Sequence, residues 1–252
     1  MGLLNRLDVQ TSKLHNHRAL IIGGSGGIGR AVTYSLASQG ASVICHGGND
    51  SARLDRIVAY VRGQGGKARG LFVPLNRASD ILAHLDDVGE PSIVVVALGP
   101  IVYASIEHTS EEQWTRMVEL NLLLPGLLLS RYLPGMVKRG WGRIVLFGGP
   151  YADQSRGFTR IAAYSAAKAG LVSLCKSAAR QTRGQNVSVN LIAPGFVDTE
   201  YLSAEERSYG ERHSPRGAMI PPERIARVVN HLILAEEPDM NGAIIAIDQG
   251  MG

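Results

Sequence analysis

The chain is short of the residues that mark several whole classes of protein. It has two cysteines, Cys45 and Cys175, with neither metal-ligand spacing nor a disulfide framework. That excludes a disulfide-stapled scaffold and a cysteine-ligated metal centre, and points to a reducing compartment, the cytoplasm. Long apolar runs are missing. Leu122 to Leu129 is the most apolar stretch, but Pro125 interrupts it and it falls well short of the ~18 residues of a spanning helix, so no membrane partner is expected. Met1 to Lys13 has three leucines among polar residues and lacks the apolar centre of a signal peptide. Basic clusters are missing too. A net charge of +4 is spread along the chain, with no basic run interleaved with aromatics, so no nucleic acid partner is expected. Internal repeats, low-complexity tracts and linkers are likewise lacking, which leaves one domain over residues 1–252.

What is present is a regular alternation of strands and helices. Arg18 to Ile22 is an apolar run ending in a glycine turn, the pattern of a buried parallel strand. Ile28 to Gln39 follows as a helix closed by Gly40. Further strands are expected at Ala41 to Cys45, Ala68 to Val73, Ser92 to Ala97, Gly142 to Phe147, Val187 to Ile192 and Ala243 to Ile247. Helices are expected at Asp50 to Arg62, at Asp80 to Val88, from a Thr109 or Ser110 cap through Asn121, at Ala162 to Thr182, and from Pro222 to Ala235. This alternation predicts an α/β fold: one doubly wound parallel sheet of about seven strands with helices on both faces. Residues 1–16 read as an N-terminal arm. Residues 199–221 lack clear periodicity and read as an irregular lid over the carboxyl ends of the strands, where sites in such sheets lie.

Two motifs fall at those strand ends. The turn Gly23-Gly24-Ser25-Gly26-Gly27-Ile28-Gly29 joins a strand to a helix, where backbone N–H groups and the helix N-terminus favour a pyrophosphate. Tyr164 and Lys168 stand four residues apart on a helix, so phenol and ammonium share a face. A nearby cation stabilises phenolate, so the tyrosine pKa is expected to fall toward working pH and the pair to exchange a proton with a carbonyl or alcohol. Pro125 has no N–H to give the carbonyl of Asn121, so the helix is expected to kink there.

The spacing Gly23-x-x-x-Gly27-x-Gly29 together with Tyr164-x-x-x-Lys168 resembles the short-chain dehydrogenase/reductase family. Asn121-Leu122, Asn190 to Thr199, Asn241-Gly242 and Asp248-Gln-Gly250 extend the resemblance over most of the chain, and its texture is most like the 3-oxoacyl-carrier-protein reductases and related ketoreductases. The resemblance implies an oxidoreductase that interconverts a ketone and a secondary alcohol using NADP(H) or NAD(H), acting on a small-molecule or acyl-thioester substrate. It implies Tyr164, Lys168 and Asn121 as catalytic residues. It places Gly23, Ser25, Gly27, Ile28, Gly29, Asn76, Gly99, Tyr164, Lys168, Val197 and Thr199 at the cofactor. The run Cys45-His46-Gly47-Gly48-Asn49 has no acid to repel a 2′-phosphate, which favours NADP(H); His46 and Asn49 are candidate weak phosphate ligands, and His46 reads equally as a solvated strand-end residue.

The sequence departs from the family pattern where a serine usually holds the substrate carbonyl. Counting forward from Gly142 puts that position at Gly149. Counting back from Tyr164 puts it at Tyr151. Tyr151, Ser155 or Thr159 are candidate substitutes, and Gly149, Tyr151 and Tyr201 are expected to face substrate. Val96-Ala97-Leu98-Gly99 and Ile22 replace polar residues usual in the family. The alternative to an enzyme is a diverged, catalytically impaired nucleotide-binding homologue acting as a sensor or partner subunit. Relatives pair through a long helix and the last strand, so the Leu171 to Ala179 face and the Ala243 to Ile247 strand are expected to form a homodimer or homotetramer.

Overall fold

The computed structural model describes residues 13–152, 154 and 156–251. Most of the N-terminal arm and Ser155 therefore lie outside the described residues. Seven strands form one sheet: β1 (Arg18–Ile22), β2 (Ser42–Gly47), β3 (Ala68–Phe72), β4 (Ile93–Val96), β5 (Gly142–Phe147), β6 (Val187–Pro194) and β7 (Ile244–Ile247). All pairs are parallel, in the order β3-β2-β1-β4-β5-β6-β7. The chain leaves β1 toward β2 on one side and returns to β4 on the other, so a crevice opens where the winding reverses.

Alternation along the strands divides the core between two faces. Ala19, Ile21, Val43, Ile93 and Val95 pack on one side with α1 (Gly27–Ser38) and α8 (Pro222–Leu234). Leu20, Ile22, Ile44, Val94 and Val96 pack on the other with α3 (Ala78–Ala83), α5 (Leu124–Arg139) and α6 (Ala162–Gln181). Ile22, Val96 and Leu98 all belong to this second cluster. Apolar packing fills all three places. Two helices complete the inventory upstream of the site: α2 (Ser51–Gly63), capped by Asp50, and α4 (Glu111–Val118), whose Ser110–Gln113 capping box matches the sequence signal.

Between α4 and α5 the helix widens into a π turn over Glu119–Leu123, with the Leu124 N–H reaching back to the Glu119 carbonyl. Pro125 follows at once and cannot donate to Asn121. The expected kink is thus a register change of the helix at Asn121. By length and composition the continuous stretch Glu111–Arg139 could cross a membrane, yet half of its apolar window is buried in the fold, as for a core helix.

Two expectations need correction. Residues 199–221 are not irregular throughout: α7 (Ala204–His213) forms there, started by a Ser203–Glu206 capping box. Its signal, Ser-x-x-Glu, is plain in the sequence, but the helix carries almost no apolar face and so shows no periodicity. Second, the Leu171–Ala179 face of α6 is core. Leu171, Cys175, Ala178 and Ala179 are buried by the sheet of their own chain. β7, at one edge of the sheet and partly exposed, has no strand on its outer side among the described residues.

Candidate active site

A cleft of about 440 Å³ opens at the carboxyl ends of β1, β2, β4 and β5, lined by Gly23, Ser25, Gly27, Ile28, Gly99, Tyr164, Lys168 and Thr199. A larger hollow of about 790 Å³ lies beside Lys176, Arg180 and Arg183. It sits at the amino ends of β6 and β7, away from these motifs.

The glycines make the floor of the cleft. Gly23 (φ 79°) and Gly27 (φ 48°) adopt left-handed backbone conformations, and a Cβ on Gly23 would lie 2.7 Å from the Ala97 carbonyl. Gly27 opens α1, so its N–H and the helix dipole face the cleft. These backbone cradles fit the phosphates of a dinucleotide, and any side chain would fill them.

His46 is neither a phosphate ligand nor a solvated strand-end residue, which corrects both sequence-based readings. It is fully buried. Its Nδ1 accepts the Gly23 N–H at 3.2 Å and its Nε2 donates to the Val73 carbonyl at 2.9 Å. Burial lowers its pKa to about 4, so the ring is neutral and its tautomer is set by these partners. His46 pins the glycine turn to β2 and the end of β3. Gly47 beside it has no room for a side chain, because a Cβ would come 2.5 Å from the Ser25 Oγ.

The cation missing from the end of β2 comes from the next helix. Arg53, in the first turn of α2, lines the cleft. Sequence reasoning missed it because no rule of spacing says which helical residue turns back over the strand end. Asn76 is exposed, while its neighbour Leu75 lines the cleft. Val197 is held in a bridge to Ile220. Thr199 lies against Gly27, its Cγ2 3.2 Å from where a Cβ would stand.

At the other end of the cleft three polar side chains meet. Lys168 is buried, and its Nζ donates to the Phe147 carbonyl at 2.7 Å and the Leu98 carbonyl at 3.4 Å. A Cβ on Gly99 would lie 3.3 Å from that Nζ and 3.5 Å from the Asn121 Oδ1. The Asn121 Nδ2 donates to the Pro100 carbonyl at 3.1 Å, and its buried Oδ1 has no partner among the described residues. Tyr164 lines the same end, with Lys168 Nζ 5.7 Å from its ring centroid.

Residues 17–210 match the short chain dehydrogenase family. The chain belongs to that family. The 3-oxoacyl-[acyl-carrier-protein] reductase of Vibrio cholerae is 32% identical over 92% of this chain and 96% of its own length. The corresponding reductase of Escherichia coli is 31% identical over the same shares. A dehydrogenase/reductase from Sinorhizobium meliloti superimposes with a TM-score of 0.81 at 26% identity, covering 97% of this chain and 98% of that one. An actinorhodin polyketide ketoreductase solved with NADPH shares the fold, with a TM-score of 0.80 at 22% identity over 94% and 97% of the two chains. This short-chain dehydrogenase is an NAD(P)-dependent oxidoreductase interconverting a ketone and an alcohol.

The charge state of the dehydrogenase's central pair corrects one expectation. Burial, followed by the nearby Tyr103 phenol, raises the Tyr164 pKa above its ordinary value. Burial also lowers Lys168 to about 7. In the protein alone, then, Lys168 does not prime a phenolate. Its Nζ is turned to two main-chain carbonyls, and burial disfavours the charged form of both groups.

Gly149, one of the two positions reached by counting, lies against the tyrosine ring. A Cβ on Gly149 would stand 2.8 Å from the Tyr164 hydroxyl and 2.9 Å from its Cε1. Of the substitutes, Tyr151 donates its hydroxyl to the Met251 carbonyl at 2.9 Å and carries Arg156 over its ring. Thr159 is exposed. Tyr201 sits over Gly26 at the phosphate end of the cleft, not at the end holding Tyr164.

Proposed function

We propose that this dehydrogenase reduces a β-keto compound of the 3-oxoacyl-thioester class, uses NADP(H) in preference to NAD(H), and works in the cytoplasm as a homodimer or homotetramer. The observation that carries the reading is the convergence of Tyr164, Lys168 and the partnerless Asn121 Oδ1 at one end of a glycine-floored cleft. The full-length similarity to two 3-oxoacyl-[acyl-carrier-protein] reductases supports the substrate class. Arg53 at the cleft and the run Gly47-Gly48-Asn49 in place of an acid directly at the end of β2 support the phosphorylated coenzyme, while Asp50, which also lines the cleft, is held as the cap of α2 and lies 3.5 Å from Arg53 Nε.

The glycine turn and the α1 N-terminus would hold the cofactor's pyrophosphate, Arg53 its 2′-phosphate, and Lys168 a ribose hydroxyl. Bound there, the nicotinamide supplies the hydride. The protein handles the proton. With a raised pKa the Tyr164 hydroxyl keeps its hydrogen, as an acid must before it donates to a developing alkoxide. Lys168, with a pKa of about 7, can gain or lose a proton at working pH and restore the tyrosine. The free Asn121 Oδ1 accepts a hydrogen bond on that route. Tyr103, on the loop that Ala104 ties to Ile161, offers a second hydroxyl near Tyr164 in place of the serine.

The test is consumption of reduced nicotinamide with acetoacetyl thioesters, measured with NADPH and with NADH for the wild type, Tyr164→Phe and Arg53→Gln. Turnover abolished by Tyr164→Phe, and a preference for NADPH abolished by Arg53→Gln, are expected. No turnover of any β-keto thioester overturns the substrate class, and an unchanged coenzyme preference removes Arg53 from the reading.

A further inference from the structure

The phosphate end of the cleft already contains an anion, and it belongs to the protein. The Gly27 N–H at the start of α1 donates to both carboxylate oxygens of Glu200, each at 3.2 Å. Arg30 Nη1 lies 3.4 Å and Arg53 Nη1 3.7 Å from the same carboxylate. Tyr201, the next residue, lies directly over Gly26, with the Arg53 guanidinium 5.2 Å from the centre of its ring. Gly26 has an extended backbone (φ −164°) that any residue can adopt. Its lack of a side chain therefore serves space: a Cβ there would overlap the Tyr201 phenol. One helix N-terminus, two guanidiniums and a bare glycine are all taken up by two consecutive residues of the segment after β6.

We infer that Glu200 and Tyr201 form a self-occupying strap that seats a carboxylate where the coenzyme's phosphates bind, so that the nucleotide must displace it. The inference rests on the reading of this cleft as a pyridine-dinucleotide site. A carboxylate and a phosphate satisfy the same donors, one N–H and two guanidiniums, and these cannot serve both. Displacement moves Thr199 and Tyr201 away from the glycine turn. Because they stand just before α7, the start of that segment is released only when a phosphate takes over the charges. The apparent affinity for nucleotide is thereby reduced by the fraction of molecules in which the strap is seated.

The test is the dissociation constant of NADPH, by titration of nicotinamide fluorescence, for the wild type, Glu200→Gln and Tyr201→Ala, each confirmed as folded by its thermal melt. Glu200→Gln keeps the shape and removes the charge; Tyr201→Ala removes the aromatic cover and leaves the charge. Both are expected to bind NADPH more tightly, Glu200→Gln by about fivefold to tenfold, the scale of a partly solvated charged contact. Wild-type binding with neither variant tighter overturns the strap and leaves the cofactor reading intact. Absence of NADPH and NADH binding in the wild type and both variants overturns the cofactor reading and the strap with it. Binding seen only in the variants supports both.

Discussion

The place where a Gly149 side chain would begin lies 2.8 Å from the Tyr164 hydroxyl. A serine here would therefore press on the whole ring, since Cε1 and Cζ are also within 3.2 Å of that point. Gly149→Ser is expected to lower kcat about tenfold by moving the phenol off its position, instead of raising it by adding a donor. Steady-state kinetics on a β-keto thioester measure this; a faster enzyme would show that the glycine is a plain loss.

Tyr103 is 57% exposed, and its phenol is close enough to Tyr164 to raise that pKa. As the proposed second donor to the substrate oxygen, Tyr103 is expected to cost about a hundredfold in kcat when replaced by Phe, the usual scale for one such donor. NADPH affinity should be unchanged. An equal loss of nucleotide binding would point to a collapsed loop instead.

Lys168 is 2% exposed and its pKa is lowered from 10.5 to about 7 by burial. Between those values the unfolded chain holds a proton that the folded one has shed, so stability rises with pH across that window, and the penalty is complete below about pH 7. Lys168→Met should raise the melting temperature at mildly acid pH by roughly 2–4 °C, about 1 kcal/mol, with the advantage shrinking toward pH 10. Melting curves across pH test this, and activity should be lost at every pH.

His46 joins the glycine turn to the strands on either side of it through two hydrogen bonds. His46→Ala strands the Gly23 N–H and the Val73 carbonyl and should cost about 1–3 kcal/mol of stability while weakening NADPH and NADH alike. With a folded pKa of about 4 against 6.5, the wild type should lose stability as pH falls through that window and hold it above 6.5. Chemical denaturation at several pH values separates the variant, which lacks that slope, from the wild type.

Much of this was readable locally. The Arg18–Ile22 and Gly142–Phe147 strands fall where apolar runs end in glycine or at a core position. Ser110 and Gln113 announce α4, and Pro125 announces the break at Asn121, because caps and prolines act on backbone groups within four residues. The Asn190 and Asn241 motifs proved structural: Asn190 donates to Met240 and accepts from Ala243, and Asn241 accepts the Val189 N–H, sewing β6 to the approach to β7.

What the order of residues determined by itself was the alternation of elements, the glycine floor and the shared helical face of Tyr164 and Lys168, since each depends on neighbours one turn away. The tertiary structure alone decided the charges and the contacts. His46 became a buried neutral brace, Lys168 turned to main-chain carbonyls, and Glu200 crossed more than a hundred and seventy residues of chain to reach Gly27. Desolvation and long-range electrostatics depend on what surrounds a group in space, and spacing along the chain carries no record of that.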